Sequence, residues 1–310
     1  MTISAEPEID SILITPQEAG QRIDQLLAHL YPSYSRTYFQ KLIEDGFVLL
    51  NDKPVKKRIA PDVGDEIEVF FQLSPVNTLE PENIPLDILF EDEYLIAVNK
   101  PAGMVVHPAP GHWSGTFVNA LLAHCDRLAP CSDPLRPGIV HRLDKETSGV
   151  LIAAKTAHTH QKLVQMFSSR KIKKTYLAIC VGRPPNTTIN APIGRHPGQR
   201  KEMAIAAPHC GREAISHVQT LAFNDAISLA MIRPETGRTH QIRVHLKHLG
   251  HPVLGDATYG SDRMNDQLKV ERHMLHAYRL DFKHPMTNAS LSFLAPIPKD
   301  FQYWVHRISE

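Results

Sequence analysis

The chain has 310 residues, enough for one large domain or two smaller ones, because a single core stops growing at roughly 250 residues. An apolar fraction of 42% and a charged fraction of 22% exclude a fibrous or disordered chain. Net charge is +1, no apolar run approaches the roughly 18 residues of a membrane span, and the start "MTISAEPEIDS" is acidic where a secretory leader is basic and then apolar, so a cytoplasmic protein is expected.

The near-neutral total hides an asymmetry. Residues 1–76 carry 7 Lys/Arg against 12 Asp/Glu, a balance of −5, and residues 77–310 carry 27 against 21, a balance of +6. The excess clusters at Arg170, Lys171, Lys173 and Lys174, at Arg195, Arg200 and Lys201, and at Arg233, Arg238, Arg243 and Lys247. Local potential, not total charge, steers a polyanion. Cys125, Cys131, Cys180 and Cys210 lack paired metal or redox spacing, so no disulfide framework is expected.

In chain order, residues 1–17 read as a tail. Ile23, Leu26, Leu27 and Leu30 then recur at helical spacing, and Ser35 can cap a second helix, "RTYFQKLIEDG", which Gly46 stops. "FVLLNDKPV" reads as a strand entering an Asn-Asp turn, and "VGDEIEVFF" alternates apolar and polar residues. Helix, helix and hairpin, with Arg36, Lys41, Lys53, Lys56, Lys57 and Arg58 among acids, resemble the RNA-binding domain named after ribosomal protein S4 over residues 18–75. The resemblance implies RNA contacts from Arg36, Lys41, Lys56 and Lys57.

"QLSPVNTLEPENIP" has three prolines and no Lys or Arg, which predicts a linker, drawn at 76–85. From residue 86 to 310, strands and helices follow no strict alternation, so the expected class is α+β with an antiparallel or mixed sheet. "LDILFEDEYLIAVNKPAGM" gives strands ending at a Pro-Ala-Gly turn, and "AHTHQKLVQMFSSR" sets Leu163, Met166 and Phe167 on one helical face.

Between two β-branched runs lies "HRLDKETSGV", residues 141–150. Asp144 and Gly149 suit a turn, and "TSG" would hand the chain back to a buried strand. Turn chemistry does not account for His141, Arg142 and Lys145 around one carboxylate. Such cations favour the charged carboxylate, which suits a nucleophile or general base better than a general acid. A lone carboxylate without a second acid points away from glycoside hydrolysis.

In "KIKKTYLAICVG", alternation sets Thr175, Leu177, Ile179 and Val181 on one face and Lys174, Tyr176 and Ala178 on a polar face. There a tyrosine beside a lysine can stack a base next to a phosphate contact. "GRTHQIRVHLKHLGHP" reads as a basic helix capped by Thr239, ended by Gly250 and barred from continuing by Pro252. Ile242, Leu246 and Leu249 form its buried stripe, and His240, Arg243 and Lys247 share a face suited to a phosphate or carboxylate. A metal site is the rival, since His240, His245, His248 and His251 fall here. Their spacings of five, three and three spread them over more than one face. Gly-rich nucleotide loops, His-Glu-x-x-His and Gly-x-Ser-x-Gly do not occur in the chain.

"NKPAGMVVHP", "HRLDKETSGVLIAAKT", "KKTYLA" and "GRTHQIRVHLKHLGHPVLGDATYG" together resemble the RNA pseudouridine synthases of the family that includes the bacterial ribosomal large-subunit enzymes, over about Gln21 to Phe293. The resemblance implies a catalytic fold with a mixed, largely antiparallel sheet and flanking helices, RNA as partner, no cofactor and no metal. "INAPIGRHPGQRKEMAI", residues 189–205, is closest to members acting on a large-subunit ribosomal RNA stem-loop at the subunit interface. The alternatives are other ribosomal or transfer RNA sites, or a noncatalytic RNA-binding assembly factor.

By motif, Asp144 matches the catalytic aspartate, Tyr176 the active-site tyrosine and Arg243 the basic partner of the aspartate. Arg142 matches the arginine that fills the gap left by the extruded nucleotide. His141, Lys174, Arg238, His240 and Lys100 are expected to bind substrate around them. Whether Asp144 attacks the ribose, attacks the uracil or takes a ribose proton stays open.

Overall fold

The computed structural model describes all residues apart from 1–7, 32–33, 35, 72–78, 109–112, 127, 130–134, 197, 200–201, 208–209 and 310. Two compact units, Met1–Thr78 and Leu79–Glu310, make up the chain. The expected Ser35 cap, Cys131, Arg200 and Lys201 lie outside the described residues. Among the described residues no helix is long and apolar enough to cross a membrane.

The first unit runs β1 (Glu8–Leu13), α1 (Ile23–Leu30), α2 (Arg36–Glu44), β2 (Val48–Leu50), β3 (Lys53–Pro54) and β4 (Glu66–Phe71). Its antiparallel sheet has the order β1-β4-β2-β3. The helical spacing buries Ile23, Leu26 and Leu27 of α1 and Phe39, Leu42 and Ile43 of α2 in one core with Val48, Ile67 and Val69. Asn51 and Asp52 take φ of 49° and 63°, the left-handed pair that a two-residue hairpin requires.

The tail reading is corrected here. Residues 8–13 are not tail: they pair along β4 from Glu8↔Phe71 to Leu13↔Glu66. An edge strand held by its backbone ladder, with Ile9 56% and Leu13 67% exposed, leaves no hydrophobic period to read. Arg36, an expected RNA contact, is exposed and already pairs with a carboxylate. It binds fully buried Asp24, Nε to Oδ2 2.9 Å, alongside Arg22 Nε at 3.0 Å and Gln40 Nε2 at 2.6 Å. Burial raises the Asp24 pKa, but these three donors hold the carboxyl below its ordinary range. Lys57 pairs with Glu44 at 2.6 Å, while Lys41 and Lys56 are exposed.

The second unit runs β5 (Ile88–Glu91), β6 (Leu95–Lys100), α3 (Phe117–His124), β7 (Ser148–Ala154), α4 (Ala157–Ser168), β8 (Lys173–Val181), β9 (Thr187–Asn190), β10 (Ile193–Arg195), β11 (Met203–Ile205), β12 (Ile215–Phe223), β13 (Ile227–Pro234), α5 (Gln241–His248), α6 (Asp262–Leu268), β14 (Leu275–Lys283), β15 (Ser290–Leu294) and α7 (Lys299–Ser309). A nine-stranded sheet follows the order β5-β6-β7-β14-β8-β13-β12-β9, with β15 also on β14. Among the described residues only β7 and β14 pair in parallel; β10 and β11 form a separate hairpin. This is the expected α+β fold with a mixed, largely antiparallel sheet.

Helices cover both faces of the sheet centre. Ala178, Cys180, Ala230 and Ile232 pack against Ile242 and Leu246 of α5. Leu177, Ile179 and Ile227 pack on the other side against Phe301, Trp304 and Ile308 of α7. The sides read from alternation in β8 are right, but the Tyr176 and Ala178 side is not a solvated face, because α5 lies on it.

Part of the expected linker belongs to this unit. Asn119 Nδ2 donates to Glu80 O at 2.9 Å, Glu82 N to Asn119 O at 3.0 Å, and Gly115 N to Glu82 Oε1 at 2.9 Å. The unit thus starts ahead of residue 86, because these backbone groups find fixed partners.

Candidate active site

Asp144 lies in the loop leading into β7, and each residue from 144 to 148 has its own anchor. Thr147 N donates to Asp144 O at 3.1 Å, closing the turn, and Lys145 O accepts from Gly103 N at 2.9 Å. Glu146 O accepts from Arg272 Nη1 at 3.1 Å, and the same guanidinium is forked on Asp300 at 2.6 and 3.0 Å. Thr147 Oγ1 is 2.8 Å from His273 Nε2, and Ser148 Oγ is 2.9 Å from His276 Nδ1. A loop so pinned holds its carboxylate in place before any ligand arrives.

Gly149 has a different role from the turn residue expected. It belongs to β7, at φ 114°, and a Cβ there would lie 2.2 Å from Ala277 O. The parallel junction with β14 brings two backbones too close for a side chain. The turn itself is at Lys145 and Glu146.

Lys100, expected at the substrate, sits beneath this loop instead. It is fully buried and donates to Pro101 O at 2.8 Å, Met104 O at 2.9 Å and Lys145 O at 3.1 Å. An ammonium has three donors, and all are used. Desolvation lowers its pKa to about 7. It clamps the loop and does not line the cleft.

Arg243, from α5, carries the main electrostatic link. Its Nε and Nη2 bind Asp256 Oδ2 and Oδ1 at 2.7 and 2.9 Å, and Nη1 reaches Asp144 Oδ2 at 3.1 Å. Asp256 is fully buried and also accepts from Thr258 N at 2.9 Å and Tyr259 N at 3.0 Å. Burial raises the Asp256 pKa, but the fork and the two amides hold the carboxyl below its ordinary range. For Arg243, burial lowers the pKa, and the two carboxylates more than reverse this.

His240 stands at the N-cap of α5 with φ 54° and no side-chain cap bond, the place expected for Thr239. Its Nε2 is 3.9 Å from Asp144 Oδ1, and its Nδ1 is 2.8 Å from Tyr259 Oη. That hydroxyl also accepts from Met203 N of β11 at 2.8 Å. Desolvation lowers the His240 pKa, which favours the neutral ring. The other end of α5 is as read: Gly250 has φ 80°, and His251 N and Gly250 N close on Leu246 O and Lys247 O at 3.0 and 2.9 Å.

A cleft of about 390 Å³ is lined by Asp144, Arg243, Tyr176, His141, Arg142, Lys174, Arg238 and His240. These are the expected site residues of this unit other than Lys100. Tyr176 is half-buried, and desolvation with the nearby charge of Asp144 raises its pKa. Lys174 Nζ donates to Thr236 O at 2.8 Å; burial, with Arg170 and Arg238 nearby, lowers its pKa to about 8. Arg238 Nε donates to Glu213 O at 2.9 Å. Arg142 is exposed.

Residues 94–248 match the family described as RNA pseudouridylate synthase, and residues 21–67 match the S4 domain. The ribosomal large subunit pseudouridine synthase D of Neisseria meningitidis serogroup A is 44% identical over 302 residues, covering 94% of this chain and 80% of that protein. The chain belongs to the RNA pseudouridylate synthase family. The protein of the same name from Haemophilus influenzae is 39% identical, covering 97% of this chain and 93% of that protein. Among solved structures, human RNA pseudouridylate synthase domain containing 4 is 26% identical, with TM-score 0.54, and covers 72% of this chain and 92% of that one. Human RNA pseudouridylate synthase domain containing 1, at 24% identity and TM-score 0.57, covers 74% and 96% and shares the fold.

In this synthase unit one expected substrate residue, His141, has local work. His141 Nε2 accepts from Ile152 N at 3.0 Å, and its ring stacks on Phe167 at 4.7 Å. Burial lowers its pKa to about 3, so it forms a neutral wall of the cleft. The four clustered histidines do not converge. His245 bonds Ser216 Oγ and Ala191 O, both at 3.0 Å, His251 bonds Val181 O at 3.1 Å, and His248 is exposed.

Among the described residues, the potential metal-ligand group within 4.8 Å is Glu91, His124 and Cys125. There Lys155 Nζ already supplies a cation, 2.7 Å from Glu91. Sequence reasoning missed Asp256 and Tyr259 as parts of the site. They lie in "LGDATYG", which the family motif contained but no charge pattern singled out.

Proposed function

We propose that this synthase converts uridines of large-subunit ribosomal RNA to pseudouridine in the cytoplasm, with Asp144 acting on the target nucleotide. The observation that carries the reading is the 3.1 Å contact between Arg243 Nη1 and Asp144 Oδ2 in a cleft shared with Tyr176. The relatives named for the ribosomal large subunit support the RNA class.

The reaction breaks the bond between ribose C1′ and uracil N1, turns the base, and joins C1′ to C5. C5 loses a proton and N1 gains one, so mass is unchanged and nothing is oxidised. The target must first leave its stack, at a cost of a few kcal/mol. Arg142, exposed at the cleft and without an ion pair among the described residues, fills the gap and offsets part of that cost.

Arg243, fixed by Asp256, orients Asp144 through a charge-assisted hydrogen bond. Tyr176 remains a phenol at neutral pH, because its pKa is raised, which suits a surface that stacks on the base better than a proton acceptor. Lys174 and Arg238 hold flanking phosphates. Exposed Lys41 and Lys56 give the S4 unit its RNA contacts.

Carbodiimide mapping of ribosomal RNA from cells lacking the protein tests the reading. Pseudouridine is expected to vanish at one or a few large-subunit positions and to return with the wild-type chain but not with Asp144→Asn. An unchanged map, or losses confined to transfer RNA, contradicts it.

A further inference from the structure

On the side of the sheet that carries α7, the helix packs over Leu177, Ile179 and Ile227. The strand ends beyond it form part of an open trough. Its volume is about 580 Å³, and its lining includes Thr175, Met231 and Tyr278. A more open depression of about 400 Å³ continues it over Thr188 and Gln219, sharing His217, Met231 and Arg233 with it.

Lys174 and Pro234 line both this trough and the cleft of Asp144. They lie just beyond the β8 to β13 pair Tyr176↔Ile232, Lys174 at the start of β8 and Pro234 at the end of β13, so the two cavities meet there from opposite faces of the sheet. A chain leaving the cleft crosses that edge directly into the trough.

The charge of the trough is positive. Its lining holds Arg170, Lys173, Lys174, Arg233 and Arg279 against Glu235 and Asp281. Arg170 is held by Glu213 and by Glu235 at 3.1 Å, and Arg279 by Asp281 at 2.7 Å. Lys173 and Arg233 are exposed and have no carboxylate partner among the described residues; Arg233 Nη2 meets Met231 Sδ at 3.5 Å. Two unneutralised cations flank an open sheet surface bearing hydroxyl, amide and imidazole groups. Phosphates take the first, and 2′-hydroxyls and base edges take the second.

We propose that this trough is a second RNA-binding surface of the synthase unit, which takes the backbone of nucleotides flanking the target as the strand passes from the catalytic cleft over the Lys174 and Pro234 edge. The proposal rests on the reading above that the substrate is RNA. Continuity with the cleft and charge complementarity select a single RNA strand as occupant. The trough supplies affinity and register, not chemistry.

The test uses the full chain with Lys173→Gln and Arg233→Gln together; neither residue lines the catalytic cleft. With a ribosomal stem-loop that keeps its flanking nucleotides, KM and Kd are expected to rise about tenfold at physiological salt. The slope of log K against log salt should shrink by about 1.4 for two lost contacts to a single strand's phosphates. The kcat at saturating RNA and the urea midpoint should match the wild type. RNA trimmed of its flanks should bind both proteins alike, and ultraviolet crosslinking of long RNA to the wild type should mark peptides containing Lys173 or Arg233.

Equal KM and equal salt slope for variant and wild type on long RNA would overturn the proposal, as would a loss confined to kcat. A wild type that forms no pseudouridine in any ribosomal RNA would instead overturn the functional reading.

Discussion

Arg243 gives Asp144 a single nitrogen, Nη1 at 3.1 Å, while its Nε and Nη2 are locked on Asp256 at 2.7 and 2.9 Å. Asp256 is fully buried and Asp144 only partly so. The buried carboxylate fixes the guanidinium plane, and the exposed end of that plane sets the direction of Asp144. The Asp144 carboxylate is therefore oriented through a residue that does not line the cleft.

Asp256→Asn tests this arrangement. It leaves a buried guanidinium without its forked counter-charge, so stability is expected to fall by about 3–5 kcal/mol in urea unfolding. At temperatures where the variant is folded, kcat should drop at least about tenfold with little change in KM, the signature of lost orientation. Wild-type kcat in a folded variant would show that Arg243 needs no anchor.

Tyr259→Phe tests the second line of support. The ring keeps its place near Arg243, at 5.0 Å, but Met203 N and His240 Nδ1 lose the shared hydroxyl. A loss of about 1–3 kcal/mol is expected from the unmet buried groups. A fall in kcat of several-fold should accompany it, measured under single-turnover conditions, because His240 is then free to turn away from Asp144. Unaltered kcat and stability would remove Tyr259 from the account.

Acid should weaken the loop that carries Asp144. Desolvation lowers the pKa of His273 to about 4 and that of His141 to about 3, against an ordinary 6.5. The unfolded chain therefore takes up these protons first. Their contribution is complete above pH 6.5 and is lost as pH falls through 6.5 toward 4 and 3. Within that window each costs about 1.4 kcal/mol per pH unit. Urea unfolding between pH 7 and pH 4.5 should show the decline, and His273→Gln should make it shallower by about 1 kcal/mol per unit. An unchanged slope would contradict the buried neutral His273.

Gly149→Ala and Gly250→Ala should differ sharply. A Cβ at Gly149 meets Ala277 O at 2.2 Å with φ 114°, whereas at Gly250, φ 80°, nothing lies within 4 Å. The first change is expected to cost more than about 3 kcal/mol and the second about 1 kcal/mol, read from urea midpoints. Similar midpoints would mean that the β7 and β14 junction is not as close as described.

What the amino-acid order revealed was whatever repeats locally. The stripe of Ile242 and Leu246, the alternation through Leu177 and Ile179, and the cationic crowd around Asp144 are all visible within a dozen residues. β1 was invisible because an exposed edge strand has no buried period. Lys100 misled because a lysine in a motif reads as a ligand contact until three carbonyls are seen around it. Gly149 read as a turn because its partner, Ala277, is remote in sequence. Asp256 and Tyr259 were silent for the same reason: their function lies in what they hold, and only the fold brings Arg243 and Met203 to them.

The central claim is that Asp144 acts on the nucleotide while Arg243 holds it. The most direct measurement is single-turnover pseudouridine formation by Asp144→Asn on a ribosomal stem-loop, with RNA affinity measured alongside. An asparagine keeps an oxygen for Arg243 Nη1, so Kd should change less than about twofold, while the rate should fall by roughly 10⁴-fold or more. Turnover within about tenfold of the wild type would contradict the account.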